Sequence, residues 1–229
     1  MRIVSISEDL NFEKRISITP EIAKKYISNG FDLSLSKNYG KHLGISDDDY
    51  SKLGVKILEN EKEIIDSADI VIQLNLPSKE KLSYLKENQT LIGVLNPFNN
   101  EVLINDLIKK KINNFSLELL PRITRAQSMD ILSSQANLAG YKAVIEAFAN
   151  FEKAVPMMMT AAGTIPAAKI LVVGAGVAGL QAIATAKRMG AIVFATDVRI
   201  ASKEQVESLG GKFLSVEGAE NLETEGGYA

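Results

Sequence analysis

Three glycines at fixed spacing and a later aspartate are the first residues whose types could do chemistry. Gly174, Gly176 and Gly179 form the pattern GxGxxG, and Asp197 lies roughly 20 residues further on. In such a pattern the first glycine allows a tight turn, the second lets a pyrophosphate approach the backbone, and the third lets a helix pack closely on a strand. An acid at the position of Asp197 accepts ribose hydroxyls. The pattern therefore predicts a bound dinucleotide rather than a merely structural turn.

The charge at the end of the pattern indicates which dinucleotide is bound. Asp197 would repel a 2′-phosphate, so NAD(H) is favoured over NADP(H). Arg199, two residues later, leaves an alternative open, because a nearby arginine can accommodate that phosphate. It could equally cover the adenine face or be solvated.

A second group of candidate residues lies on one predicted loop. Arg122, Gln127 and Asp130 combine a cation, a carboxamide and a carboxylate within a few residues. A dinucleotide held by its phosphates keeps a freely rotating nicotinamide, so hydride transfer needs amide and charged groups that fix the ring and its ribose. The alternative is a solvated loop with an acidic helix N-terminus.

The elements that must position these residues alternate between strands and helices. Residues 170–173 form an apolar strand that runs into the glycines, an Ala-rich helix follows to Met189, and residues 192–195 form the next strand. A third strand is predicted at 213–216. We also predict six earlier strands at 3–6, 31–35, 55–58, 70–74, 91–95 and 115–119. Alternation at this spacing is typical of mainly parallel sheets covered by helices.

The predicted fold class is α/β, with two Rossmann-like domains that have mainly parallel sheets. We predict an N-terminal α/β domain at 1–128, a connecting long helix and loop at 129–166, and a dinucleotide-binding domain at 167–229. A full dinucleotide fold has six strands, so only its N-terminal half is present in this sequence. The small residues of the long helix (Ala136, Ala139, Gly140 and Ala143) indicate close packing against neighbouring backbone.

Composition excludes several classes of function. The formal net charge of −2 argues against a nucleic-acid partner, and the absence of cysteine excludes disulfides and thiolate sites. His42 is the single histidine and lies in a glycine-bounded loop, so we expect a surface residue and no metal site. No stretch approaches the ~20 apolar residues of a membrane span, and the N-terminus lacks the apolar run of a signal peptide. The polypeptide is therefore expected to be soluble.

Residues 121–144 then suggest a family. The stretch PRITRAQSMD followed by ILSSQANLAGYKAV, together with GAGVAG and EGGYA, resembles the NAD(H)-binding domain of the proton-translocating NAD(P) transhydrogenase alpha subunit. In that family an Arg, a Gln and an Asp contact the nicotinamide end, and they fall on Arg122, Gln127 and Asp130, which we assign as catalytic. The tyrosine of the family's mobile loop falls on Tyr228. Cofactor binding is assigned to Arg122, Ile123, Thr124, Gln127, Asp130, Gly174, Gly176, Val177, Gly179, Asp197, Val198, Arg199, Gly227 and Tyr228.

The resemblance implies hydride transfer between NAD(H) on this chain and NADP(H) on a partner domain, coupled to proton translocation by a membrane domain. The implied partners are that membrane domain, an NADP-binding beta subunit and a second copy of this domain. The implied location is the cytoplasmic face of a bacterial inner membrane, and the chain alone is expected to be inactive.

Alanine dehydrogenase is the main alternative, because residues 13–20 also resemble its substrate-binding segment, in which Arg15 would bind a carboxylate. That family needs a Lys and a His where this chain has Asn75 and Asn96. Neither asparagine can act as an acid or base near neutral pH. Arg15 is therefore interpreted as a retained structural or ancestral feature that packs near the expected cleft between the two predicted domains. A non-catalytic NAD-binding module is the third possibility.

Overall fold

A computed structural model describes residues 1–121 and 123–215. Contacts divide the chain into two compact units, Met1–Asp130 and Ile131–Ala229. Three of the predicted site residues, Arg122, Gly227 and Tyr228, lie outside the described residues. Within the described ranges, no helix is both long and apolar enough to cross a membrane.

The first unit contains a six-stranded sheet whose strand pairs are all parallel. The strands are Arg2–Ser5 (β1), Asp32–Ser36 (β2), Lys56–Leu58 (β3), Ile70–Asn75 (β4), Thr90–Val94 (β5) and Asn113–Ser116 (β6). Their order is β3-β2-β1-β4-β5-β6, the order of a complete doubly wound dinucleotide fold. The direction of strand succession reverses between β1 and β4, and in open α/β sheets ligands bind beyond the carboxyl ends of the strands at such a point.

Five helices connect these strands: Pro20–Ser28 (α1), Asp47–Ser51 (α2), Glu61–Asp66 (α3), Lys79–Ser83 (α4) and Glu101–Lys109 (α5). Their starts follow local capping chemistry. Thr19 accepts a hydrogen bond from the Ile22 amide, and Ser46 and Asp49 form a reciprocal capping box. Buried aliphatic residues fill both faces of the sheet, and full burial of one such side chain contributes about 1.5–3 kcal/mol.

The last strand of this sheet begins and ends earlier than the sequence predicts. β6 covers Asn113–Ser116, and Leu117–Leu119 forms a 3₁₀ turn rather than the end of the strand. β6 pairs only with β5, so it lies at an edge, where polar side chains such as Asn113 remain in water. The apolar run at 115–119 therefore predicted this strand too late in the sequence.

The second unit begins with the longest helix of the described residues, Ile131–Ala149 (α6), and contains a three-stranded parallel sheet. Its remaining elements are Met158–Thr160 (β7), Gly163–Ile165 (β8), Lys169–Val173 (β9), Val177–Arg188 (α7), Ile192–Thr196 (β10), Ser202–Ser208 (α8) and Lys212–Phe213 (β11). The sheet order β11-β10-β9 matches the first half of the doubly wound arrangement. Inward residues of β9 and β10 pack on Ile183 and Ala186 of α7, both fully buried.

Two features of this unit differ from the predictions. The predicted connecting segment at 129–166 is more than a long helix and a loop, because β7 and β8 form an antiparallel hairpin in which Met158 pairs with Ile165. Gly163 has φ +139°, which a side chain would strain, so it allows the chain to reverse there. The short helix α8 was also not predicted; of its residues only Ser202 and Val206 are buried, which leaves a weak apolar pattern.

Candidate functional site

The predicted glycine turn lies between β9 and α7. Gly174 has φ +94°, and its amide donates to the carbonyl oxygen of Thr196 at 2.8 Å, which ties the turn to the end of β10. A Cβ on Gly179 would stand 1.8 Å from the Gly174 carbonyl oxygen. Position 174 therefore requires glycine because its φ is positive, and position 179 requires glycine because no side chain fits against the Gly174 carbonyl oxygen.

The start of α7 leaves room for an anion. Gly176 is the N-cap, has no side chain to cap the helix, and would place a Cβ in open space with nothing within 4 Å. The first amides of a helix lack partners inside it and carry the positive end of its dipole. These features fit the phosphates of a dinucleotide. The basic residues of α7 lie in its last turn, at Lys187 and Arg188.

Asp197 directly follows β10 and completes the candidate site. Its Oδ2 accepts from the Ala175 amide at 2.6 Å, so the acid is bound directly to the glycine turn. Its Oδ1 accepts from the Arg199 amide at 2.8 Å and from Arg199 Nε at 2.9 Å. Hydrogen bonding from the Arg199 side chain is the largest cause that lowers the pKa of Asp197 to about 2. The carboxylate is therefore ionised across the physiological pH range.

Two valines at the ends of these elements expose apolar surface. Val177, the first residue of α7, is 44% exposed, and Val198, next to Asp197, is 48% exposed. Exposed apolar surface of this kind is suited to contact with the flat rings of a nucleotide. Their positions agree with a role in cofactor contact, which stays a prediction.

The predicted nicotinamide loop belongs to the first unit. Thr124–Met129 forms a 3₁₀ segment, and Asp130 follows it with its amide donating to the Gln127 carbonyl at 3.2 Å. Ala126 is buried and anchors the segment, whereas Thr124 and Gln127 are exposed. Ile123 is 53% exposed, and its backbone amide donates to the Pro121 carbonyl oxygen at 3.0 Å. The segment thus presents the side chains of Thr124 and Gln127 to solvent.

A cleft of about 470 Å³ at the carboxyl ends of β1 and β4 was not predicted. Glu8, which lines it, accepts from the Leu74 amide at 2.7 Å, and burial raises the pKa of its carboxyl group. Glu13 Oε1 accepts from the backbone amide and from Nε of Arg15, both at 2.9 Å, and its Oε2 accepts from Arg15 Nη2 at 2.6 Å. The side-chain hydrogen bond from Arg15 is the largest cause that lowers the pKa of Glu13 to about 2. The reversal of strand order between β1 and β4 is the signal that could have located this cleft.

Asn75 and Asn96 lie at the ends of β4 and β5 and line an adjoining cleft of about 400 Å³. Asn75 Nδ2 donates to Glu13 Oε2 at 3.3 Å. Asn96 has φ +45°, and its backbone amide donates to Glu118 Oε1 at 2.6 Å. Its side-chain Oδ1 accepts a hydrogen bond from Asn99 Nδ2 at 3.0 Å. Both side chains are thus used in hydrogen bonds within the protein, and neither can exchange a proton near neutral pH.

The remaining chemistry of the described residues is sparse. Within residues 1–121 and 123–215, no group of three or more histidine, cysteine or acidic side chains could hold a metal ion. His42 is exposed, and its Nε2 lies 2.7 Å from the Lys14 carbonyl oxygen.

Comparison with known proteins agrees with this arrangement. Residues 5–139 match the family described as "Alanine dehydrogenase/PNT, N-terminal domain", and residues 143–226 match "Alanine dehydrogenase/PNT, C-terminal domain". The chain is 50% identical over 233 aligned positions to the first part of NAD(P) transhydrogenase subunit alpha from Rickettsia prowazekii, an alignment that covers 100% of this chain and 61% of the relative. The chain therefore spans about three fifths of the length of this curated relative.

Solved structures show the same fold. The transhydrogenase from Sinorhizobium meliloti superimposes with a TM-score of 0.89 at 48% identity, covering 93% of this chain and 64% of that chain. An L-alanine dehydrogenase superimposes with a TM-score of 0.82 at 20% identity, covering 95% and 61% of the two chains. At that identity the second comparison shows a common fold alone.

Proposed function

Because the chain belongs to the alanine dehydrogenase/PNT family, we propose that it is the NAD(H)-binding part of a NAD(P) transhydrogenase alpha subunit. The proposed reaction is reversible hydride transfer between NAD(H) held by this chain and NADP(H) held by a partner domain. A membrane domain would couple this transfer to proton translocation.

The observation that carries the proposal is the bond between the glycine turn and its acid. The Ala175 amide donates to Asp197 Oδ2 at 2.6 Å, so the phosphate-binding turn and the ribose-binding carboxylate form one unit. Gly176 leaves open space beside the start of α7, where a pyrophosphate fits. A carboxylate at this place supports NAD(H) rather than NADP(H) as the bound nucleotide.

The hydrogen bonding of the two asparagines supports transhydrogenation over amino-acid oxidation. An amino-acid dehydrogenase takes a hydride from the carbon that it oxidises and must also move protons, from the amino nitrogen and from the water that hydrolyses the imine, which requires a side-chain acid or base. Asn75 and Asn96 occupy the places of those groups, and both are used in contacts within the protein. Hydride transfer between two nicotinamides requires orientation of the rings and no proton exchange at that site.

Orientation is the role proposed for the loop of the first unit. Gln127 and Asp130 would bind the nicotinamide ring and its ribose together with Arg122, and Ile123 and Thr124 would complete the contact. Gly227 and Tyr228 would contact the nucleotide from a separate segment of the chain. The nucleotides supply the hydride chemistry itself.

We infer the partners from the family. The relative from Rickettsia prowazekii is named as the first part of subunit alpha, which supports further transhydrogenase parts as partners. We assign these as an NADP-binding beta subunit and a membrane domain, with a second copy of this domain completing a homodimer. The assembly would place this domain at the cytoplasmic face of a bacterial inner membrane.

Isotope transfer tests the proposal. The protein is mixed with an NADP-binding beta subunit of a transhydrogenase, NADP⁺ and NADH that carries deuterium at C4 of the nicotinamide. We expect deuterium to appear in NADPH only when both proteins are present, and to be lost with Asp197→Ala. Tight NADH binding without deuterium transfer would instead support the non-catalytic module.

A further inference from the structure

The acceptor sites of Asp197 are filled by groups of the protein itself. Ala175 N and Arg199 Nη2 donate to Oδ2 at 2.6 and 3.2 Å, and Arg199 N and Nε donate to Oδ1 at 2.8 and 2.9 Å. An ionised carboxylate has about four lone-pair sites. Four donors therefore occupy the carboxylate that should receive two ribose hydroxyls.

Half of these donors belong to one long side chain with several rotatable bonds. Nε and Nη2 of Arg199 form a fork on the two oxygens, the bidentate geometry that makes Arg–carboxylate pairs strong. The Asp197 side chain is 5% exposed and that of Arg199 is 20% exposed, so water screens the pair only partly. The other two donors are backbone amides, which cannot leave without moving the turn or the end of β10.

The ribose hydroxyls of a bound nucleotide would therefore compete with Arg199 for the acceptor sites of Asp197. On the proposed function, the adenosine ribose of NAD(H) donates its hydroxyls to Asp197, and acceptor sites become available when the guanidinium withdraws. The same guanidinium lies 2.9 and 3.2 Å from the two carboxylate oxygens, which is where the 2′-phosphate of NADP(H) would approach.

We propose that Arg199 is a masked 2′-phosphate-binding residue, and that the Asp197–Arg199 pair rather than Asp197 alone determines nucleotide specificity. Asp197 rejects NADP(H) in two ways. Its charge repels the phosphate, and it holds the cation that would otherwise bind the phosphate. This inference rests on the proposed role in NAD(H) binding and adds the group that sets its specificity.

Equilibrium titrations test the pair without any hydride transfer. NADH, NADPH and adenosine 2′,5′-bisphosphate are titrated into the wild type, Asp197→Asn, Arg199→Gln and the double variant. The Asp197→Asn replacement keeps an oxygen for the Ala175 amide but carries no charge. We expect it to bind NADPH and the bisphosphate at least about 10-fold more tightly than the wild type, the factor of one charge-assisted hydrogen bond. The double variant should lose that gain, and Arg199→Gln alone should not acquire it.

The outcomes separate this inference from the proposed function. A wild type that binds NADH, with no gain of NADPH in Asp197→Asn or in a second neutral replacement, Asp197→Ser, overturns the inference and leaves the function standing. A gain that persists in the double variant also overturns it, because another group then binds the phosphate. A wild type that binds neither dinucleotide contradicts the proposed function and this inference with it.

Discussion

Gly140 of α6 lies against the carbonyl oxygen of Ala178 in the first turn of α7. A Cβ at position 140 would stand 2.0 Å from that oxygen and 2.8 Å from its carbon. Because both atoms belong to the backbone at the start of α7, no rotation of a side chain can relieve the contact. The close approach of the two helices thus holds the turn that is proposed to bind phosphate.

The first prediction concerns this contact. Gly140→Ala should lower the free energy of unfolding by about 1–3 kcal/mol or more, because overpacking outweighs the gain in helix propensity. Asn137→Ala, at an exposed position of the same helix, is the matched control and should be neutral or stabilising. Urea unfolding followed by circular dichroism measures both. A Gly140→Ala variant as stable as the control would show that the helices do not pack this closely.

The same helix shows what the sequence could predict. The small residues of α6 correctly indicated close packing against backbone, but they did not indicate which of them makes it. Gly140 is buried, whereas Ala139 and Ala143 are exposed. The stripe of small residues is wider than the contact, so the sequence pattern predicts the helix and its close packing but not the point of contact.

The second prediction separates two glycines of the same turn. Gly179→Ala should unfold or strongly destabilise the protein, since its Cβ would lie 1.8 Å from the Gly174 carbonyl oxygen. Gly176→Ala meets open space at φ −76°, an ordinary value for alanine, and should cost no more than about 1 kcal/mol. It should nevertheless weaken NADH binding, because the methyl group fills the space left for a pyrophosphate. Unfolding curves and NADH titrations of both variants test this prediction. Unchanged NADH affinity in Gly176→Ala would show that this turn does not bind the phosphates.

The third prediction is a pH dependence. Hydrogen bonding from Arg199 lowers the pKa of Asp197 from 3.8 to about 2, so the folded state favours the ionised form. Its contribution to stability is therefore complete above pH 4 and is lost as the pH falls through about 2. At pH 7 Asp197→Asn should cost roughly 1–2 kcal/mol after screening by solvent, and the difference from wild type should shrink towards pH 2. Urea unfolding at several pH values measures it. The control is Glu21→Gln, which removes an exposed ion pair and should change the free energy of unfolding little at any pH. If Asp197→Asn lowers the free energy of unfolding by the same amount at every pH, the ion pair is not the cause of the loss.

Most strands of the fold could be predicted because buried parallel strands have short apolar runs. The β7–β8 hairpin could not, because its residues are exposed and no buried face imposes an alternation of apolar and polar residues. In the site, the glycine spacing predicts the turn, and the structure confirms the turn. The occupation of Asp197 by Arg199 depends on the rotamer of one long side chain, which no spacing in the sequence specifies.

The fourth prediction concerns amino-acid oxidation. With Asn75 and Asn96 in place of an acid and a base, the protein should neither oxidise alanine with NAD⁺ nor reduce pyruvate with NADH above background. The absorbance of NADH at its nicotinamide band measures both directions, and NADH binding in the same sample shows that the nucleotide site is intact. Turnover of alanine would contradict the transhydrogenase proposal in favour of an amino-acid dehydrogenase.

The last prediction assigns Gln127 to positioning rather than to affinity. Most of the binding free energy should come from the phosphate turn, Asp197 and burial of the adenine, and these lie in the second unit of the chain. Gln127 is exposed on a 3₁₀ segment that the buried Ala126 anchors, and its amide can both donate and accept hydrogen bonds. Its removal should leave the nucleotide bound with a nicotinamide ring that samples unproductive orientations.

Gln127→Asn is the informative variant, because it keeps the amide and shortens its reach. Small displacements at a reacting centre can cost about 100-fold in rate, so hydride transfer to the NADP-binding component should fall far more than NADH affinity. Single-turnover transfer and an NADH titration are measured on the same preparation. Ser128→Ala, at the next exposed position of the segment, is the control and should change neither quantity much. An equal loss of rate and affinity in Gln127→Asn would make Gln127 a binding residue only, because a positioning role requires the rate to fall further than the affinity.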